Sequence, residues 1–298
     1  MQYKFKAFGL NIKSEFPFQA AKADEKGFFD VTVKAKTFPN FLKKPTHSGI
    51  NFESSESEFL LRVPNVSNFL IKNGNEVFID ADPKAKLSEI ELFFLGSALS
   101  VLLMQKGIVP FHGSAFEKDG KAIIISGNSG AGKSTLLRYF LNQGFKAITD
   151  DVCALSIENE KVVITPSYPS SKIWSDILEH FEIEKKETSR IRPNIDKYKI
   201  NFPENFTSKN YEVDSIYIIH SNNEAQFSIN ETKGFEKFRL LKRNLYRPKF
   251  PEAMGKEKET FIILNKLAQQ ANLFDIYRSK SIKRLEDFNL FAHKQILG

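Results

Sequence analysis

At 298 residues, with 41% hydrophobic and 27% charged side chains, the chain has the length of about two domains and material for a sizeable core. Its net charge of +7 comes from Lys and Arg spread along the chain rather than from a dense basic run, so a nucleic-acid partner is not expected. A single cysteine, Cys153, excludes an intramolecular disulfide and a cysteine zinc cluster, which fits a reducing, cytoplasmic compartment.

The amino-terminal segment MQYKFKAFGL lacks an apolar run with a small-residue cleavage site, and no secretory signal is expected. Tyr3 to Ile12 and Phe28 to Ala35 alternate as strands do, with a polar stretch at Asp24 to Gly27 between them. A basic irregular loop, Pro39 to Gly49, precedes three short strands, Phe59 to Val63, Asn68 to Ile71 and Glu76 to Ile79, the last two joined at Asn73-Gly74. Residues 1–86 thus read as a small antiparallel β-rich domain, and residues 87–298 as an α/β domain closed by helices. A helix is expected from Ser88 to Gln105, with Ser88 and Glu91 as a capping box. Its apolar stretch, Leu92 to Met104, is short for a membrane span, and no membrane partner is expected.

The strand-like Ile108 to Phe111 leads to His112, and a turn at Lys118 to Lys121 feeds the apolar strand Ala122 to Ser126. Gly127-Asn128-Ser129-Gly130-Ala131-Gly132-Lys133-Ser134, followed by Thr135, fits G-x-x-x-x-G-K-[ST] between a strand and a helix, Lys133 to Asn142. The glycines let backbone N–H groups converge on phosphate oxygens, and the helix adds its positive end. In such a turn Lys133 reaches the β- and γ-phosphates and the Ser134 hydroxyl ligates Mg²⁺, so ATP and Mg²⁺ are the expected cofactors. The next strand, Phe145 to Thr149, ends on Asp150-Asp151, beside the phosphate turn, where open α/β sheets bind ligands.

Two adjacent carboxylates can divide the work of phosphoryl transfer, one holding the metal directly or through water and the other taking the proton of an incoming hydroxyl. The residues alone do not decide the split; the assignment adopted puts Asp150 on the metal and Asp151 as base. His112 is a candidate donor to phosphate or orienter of these carboxylates. The other four histidines, at 47, 180, 220 and 293, read as structural. Beyond the carboxylates, Cys153 to Ser156 and Lys161 to Thr165 pair as a hairpin. Pro169 to Phe181 is expected to be a helix and Glu182 to Phe206 a long loop. Ser215 to His220 and Leu273 to Tyr277 are strands among the helices Phe235 to Leu245, Lys256 to Gln270 and Ile282 to Ile296.

The order FHGSA, GNSGAGKST and TDD, with His112 21 residues before Lys133 and Asp150 17 after it, resembles the catalytic domain of HPr kinase/phosphorylase, itself related to phosphoenolpyruvate carboxykinase. More narrowly, Tyr3 to Phe18, the Gln105-x-Gly107 step and Pro169-x-x-Lys172-x-Trp174 resemble the HPr-kinase-like proteins of modified-peptide gene clusters, including lasso peptide kinases. The resemblance implies transfer of the γ-phosphate of ATP to a serine hydroxyl, with Lys133, Ser134, Asp150, Asp151 and His112 serving the reaction. It implies a peptide or protein acceptor, such as a precursor peptide, and leaves a homo-oligomer open. The Glu…Arg-Gly signature of HPr kinase/phosphorylase is missing downstream of the carboxylates, so HPr recognition and the phosphorylase reaction are not implied. Lys172, Arg190, Arg192 and Lys197 are candidate contacts to phosphate or to an acidic acceptor. The alternatives are a small-molecule hydroxyl kinase, a nucleotide-binding module that transfers nothing, and a transport ATPase; the last lacks an LSGGQ-type signature.

Overall fold

A computed structural model describes residues 2–18, 21–22, 28–184, 188–192, 195–222, 226–279, 281 and 284–298. The chain is mixed α/β with large sheets, and it divides into two compact units, neither continuous in sequence. One comprises residues 1–110, 174–200 and 246–262; the other comprises 111–173, 201–245 and 263–298. The expected division at 86/87 falls inside the first unit, because the helix after it packs on that unit's own sheet.

In the first unit the described residues form a nine-stranded sheet in the order 21–22, 3–7, 10–14, 31–35, 76–81, 67–72, 58–63, 52–54, 47–49. The single strand expected over Tyr3 to Ile12 is a hairpin, because Phe8 and Gly9 take positive φ (52° and 75°) and reverse the chain. Asn73 and Gly74 do the same between 67–72 and 76–81, as expected. The polar stretch at Asp24 to Gly27 lies outside the described residues. Part of the expected basic loop is strand: His47–Gly49 pairs with Phe52–Ser54.

The helix Leu87–Gln105 is longer than its apolar stretch suggested and meets the length and composition of a membrane span, yet residues 94–104 are buried in the protein. Phe94 stacks on Phe18 (4.6 Å) and meets Phe5 edge-on (6.2 Å), which explains an apolar face of this size. The helix begins at Leu87 and the capping acid is Glu89, 3.4 Å from the Lys86 N–H, rather than Glu91.

In place of the loop expected over Glu182 to Phe206, Ser189–Arg192 and Ile195–Asn201 pair antiparallel; residues 185–187 and 193–194 lie outside the described residues. Strand alternation sends its basic side chains to partners in the same unit. Arg190 pairs with Asp196 (3.5 Å), Arg192 with Glu89 (3.3 Å) and Lys199 with Glu91 (3.2 Å). Lys197 lies over the Trp174 ring at 4.7 Å. Arg190, Arg192 and Lys197 therefore act here as packing and pairing groups within this unit.

The second unit is built on strands Val109–Lys118, Lys121–Gly127, Val152–Glu158, Lys161–Thr165, Tyr211–Asn222 and Asn272–Ser279. Val109–Lys118 is one continuous strand through His112, turning at Asp119-Gly120 into Lys121–Gly127. Lys121–Gly127 also pairs in parallel with Tyr211–Asn222, which pairs in parallel with Asn272–Ser279. Three strands thus end on the same side. The helix Lys133–Asn142 covers them through Leu136, Leu137, Phe140 and Leu141, with Phe140 stacked on Phe116 (4.4 Å) and the helix Leu285–Leu297 beside it. The expected start of that last helix, at Ile282, lies outside the described residues.

Pro169 to Phe181 is not one helix: Ser170–Trp174 is a strand, and only Ser175–His180 is helical. The proline disfavours helical backbone at Tyr168, and in the strand that follows Ser171 and Lys172 turn polar groups to Asp150.

Candidate functional site

The glycine-rich turn starts where the central strand ends. Gly127 has φ 134°, and a Cβ there would lie 2.5 Å from the Ile219 carbonyl oxygen on the parallel neighbour. Only glycine lets the two backbones approach so closely. Gly127→Ala is expected to destabilise the protein by about 3 kcal/mol, read from denaturant unfolding. Asn128, Ser129 and Gly130 are exposed, whereas Ala131 and Thr135 are buried. Gly132, at φ 106°, leads into the helix. Lys133 is buried, and its ammonium donates to the Gly127 and Asn128 carbonyls (2.9 and 3.1 Å). The charge thus sits over the first residues of the turn.

Asp150 is buried and its carboxylate accepts from four donors. Ser114 and Ser134 hydroxyls reach Oδ1 (2.5 and 2.9 Å), and the Ser171 hydroxyl and Lys172 N–H reach Oδ2 (2.5 and 3.4 Å). The two expected metal-side residues, Ser134 and Asp150, are therefore in direct contact. Ser114 and Ser171 were not anticipated, although each lies within a segment singled out for other residues, FHGSA and P-x-x-K-x-W.

Asp151 takes a left-handed backbone, φ 81°, which turns its side chain back toward His112 and Lys172. Lys172 Nζ pairs with its carboxylate at 2.8 Å, and His112 Nδ1 lies 3.6 Å from the other oxygen. Burial alone would raise this carboxyl's proton affinity, but the Lys172 ammonium, His112 and Lys133 outweigh it and hold Asp151 well below the usual carboxylate range. Of the four basic candidates, Lys172 is the one that this unit contributes.

His112 sits 3.0 Å from the Asp151 carbonyl through Nδ1. A carbonyl only accepts, so Nδ1 carries the hydrogen and Nε2 is the acceptor nitrogen of the neutral ring. Burial first, and then the Lys133 charge, push His112 below its ordinary value, against a smaller opposite pull from Asp151 and Asp150. The folded state therefore disfavours the proton that the unfolded chain binds below about pH 6.5, and stability falls as pH falls through that value. In the nucleotide-free protein, unfolding free energies measured from about pH 7.5 to 5 are expected to decline, and His112→Asn to flatten that decline.

A second polar group lies on the other side of the turn, and His220, read as structural from the sequence, belongs to it. The ring donates through Nε2 to Asp275 (2.5 Å), whose second oxygen takes the Thr232 hydroxyl. Burial opposes ionisation of Asp275, but these two donors hold it below the usual range. With Gly127, Asn128, Arg243 and Asn244, His220 lines a small cleft of about 20 Å³. A strand ending beside the glycine-rich turn was the available signal.

Hard oxygen donors from one carboxylate and one hydroxyl suit Mg²⁺, which keeps waters and substrate phosphates as its other ligands. No group of three or more His, Cys, Asp or Glu suited to a metal occurs among the described residues.

Among solved structures, the HPr(Ser) kinase/phosphatase from Coxiella burnetii is similar to this chain at 12% identity, covering 63% of this chain and 96% of that one, with a TM-score of 0.31. No family model and no curated protein matches the chain.

Proposed function

We propose that the protein is an ATP-dependent, Mg²⁺-using kinase of the HPr-kinase-like type that moves the γ-phosphate to a serine-type hydroxyl of a peptide or protein acceptor. The modified-peptide clusters, lasso peptides among them, are the setting that the resemblance favours. The observation that carries the reading is the contact of Ser134 with Asp150 beside Lys133, at the mouth of a glycine-rich turn that ends a central parallel strand.

In this reading the Lys133 ammonium leaves the loop carbonyls and, with the backbone N–H groups of the turn, binds the β- and γ-oxygens, absorbing charge there. Ser134 and Asp150 would hold the cation, which would supply neutralisation of phosphate charge. Asp150 already accepts four hydrogen bonds, so reaching the cation through water leaves its network intact. Asp151, kept ionised and fixed by Lys172, orients the acceptor hydroxyl in line and receives its proton as the new P–O bond forms and the bond from the γ-phosphorus to the leaving ADP breaks. His112 holds Asp151 through its carbonyl.

One observation favours a second reading, a nucleotide-binding module without transfer: Lys133 and Asp151 both have partners inside the protein, on loop carbonyls and on Lys172. The two readings part on incubation with γ-labelled ATP, Mg²⁺ and two pools of peptides, identical but for Ser in one and Ala in the other. Label on the Ser pool alone supports the kinase. ATP binding without label on either pool supports the module.

A further inference from the structure

Arg278 occupies the next-to-last position of the strand Asn272–Ser279, which lies parallel to Tyr211–Asn222 and so ends on the side of the glycine-rich turn. Its Nε donates to the Ala131 carbonyl at 2.8 Å. The guanidinium also lies 3.5 to 3.6 Å from the point where a Cβ on Gly132 would stand, so the missing side chain lets it rest against the turn itself.

The residue is 9% exposed, yet among the described residues no carboxylate pairs with it and no acceptor is bonded to its Nη groups. Its remaining neighbour of note is the Phe288 ring, 5.7 Å from the guanidinium carbon. A buried cation without a counter-ion is costly, and burial accordingly pushes this guanidinium down from its ordinary value. A second cation, Lys133, lies in the same turn and is likewise buried. Two buried positive groups around a turn of backbone N–H donors suit an anion, and a guanidinium fork matches phosphate oxygens in particular.

We infer that Arg278 is a phosphate-binding residue of the glycine-rich turn, adding a second cation beside Lys133 for a polyphosphate ligand. The inference rests on the reading of the turn as a nucleotide site, and it assigns the counter-ion of Arg278 to the ligand rather than to the protein.

The test is calorimetric titration of the full chain, the Arg278→Gln variant and the Arg278→Lys variant with ATP, inorganic tripolyphosphate and adenosine, alongside thermal melting without ligand. Arg278→Gln is expected to weaken ATP and tripolyphosphate about 10- to 100-fold, to leave adenosine binding unchanged, and to melt no lower than the parent. Arg278→Lys, which keeps the charge, is expected to recover most of that loss. ATP affinity within about threefold of the parent for Arg278→Gln overturns the inference, as does an equal loss in both variants with a lower melting temperature, the mark of a purely structural residue. Parent protein that binds neither ATP nor tripolyphosphate overturns both this inference and the kinase reading. Tripolyphosphate binding that depends on Arg278, without label transfer to any acceptor, overturns the kinase reading and leaves this one standing.

Discussion

Lys133→Ala is expected to lower phosphate transfer by about 10³-fold or more, because it removes the mobile charge that meets the β- and γ-oxygens in a site where charge stabilisation carries most of the catalysis. The fold should survive the change. The Lys133 ammonium is bonded to the Gly127 and Asn128 carbonyls, and Asn128 belongs to the exposed part of the turn, where water can reach the carbonyl that is left. The apolar contacts of the helix, through Leu136, Leu137 and Phe140, are untouched. Steady-state transfer rates and a melting curve on the same preparation check both halves. A variant that transfers phosphate at the parent rate contradicts the proposed role of the turn.

Asp151→Asn should cost about 10²- to 10⁴-fold in transfer rate, the range for loss of a positioned general base. Asparagine is the informative substitution, because it tolerates the left-handed backbone that Asp151 adopts at φ 81°, whereas alanine would add strain. It removes the charge that faces Lys172 and His112. The Asp151 and Lys172 side chains are 29% and 22% exposed, so losing their ion pair should lower stability by about 1 kcal/mol at most. A large loss of rate with a small loss of stability assigns the carboxylate to chemistry. ATP binding should stay close to that of the parent, since among the described residues the ion-pair partners of Asp151 are Lys172 and His112 and not residues of the turn, and a titration with ATP reads this directly.

The placement of the glycine-rich turn and of the carboxylates after it was legible because it is local: a strand, a turn, a helix and a second strand follow one another within residues 121–151. The groups around them were not, because long-range pairing brings them in. Ser171 reaches Asp150 only because Ser170–Trp174 is extended, and the spacing of Ile173, Ile177 and Leu178 imitates one apolar helix face. Arg278, 147 residues from Ala131, and His220, paired with Asp275, come to the turn through two parallel pairings that leave no local signal.

Hairpins failed or succeeded on their turn residues. Asn73-Gly74 announced itself, whereas Phe8-Gly9 hid inside an alternating run, since a buried Phe at positive φ is not a usual turn former. The basic residues of 190–199 suggested a ligand contact, but ion pairs and a ring contact within their own unit account for them. Charge alternation along a segment does not distinguish a binding loop from a strand whose charges have partners.

The most direct measurement is stoichiometric. The protein is incubated with γ-labelled ATP, Mg²⁺ and serine-containing peptides, and ADP, inorganic phosphate and phosphorylated peptide are quantified in the same sample. The account predicts one phosphoserine formed for each ADP, with no more inorganic phosphate than in a protein-free control. ADP released with inorganic phosphate alone, or bound ATP recovered unchanged, would contradict it.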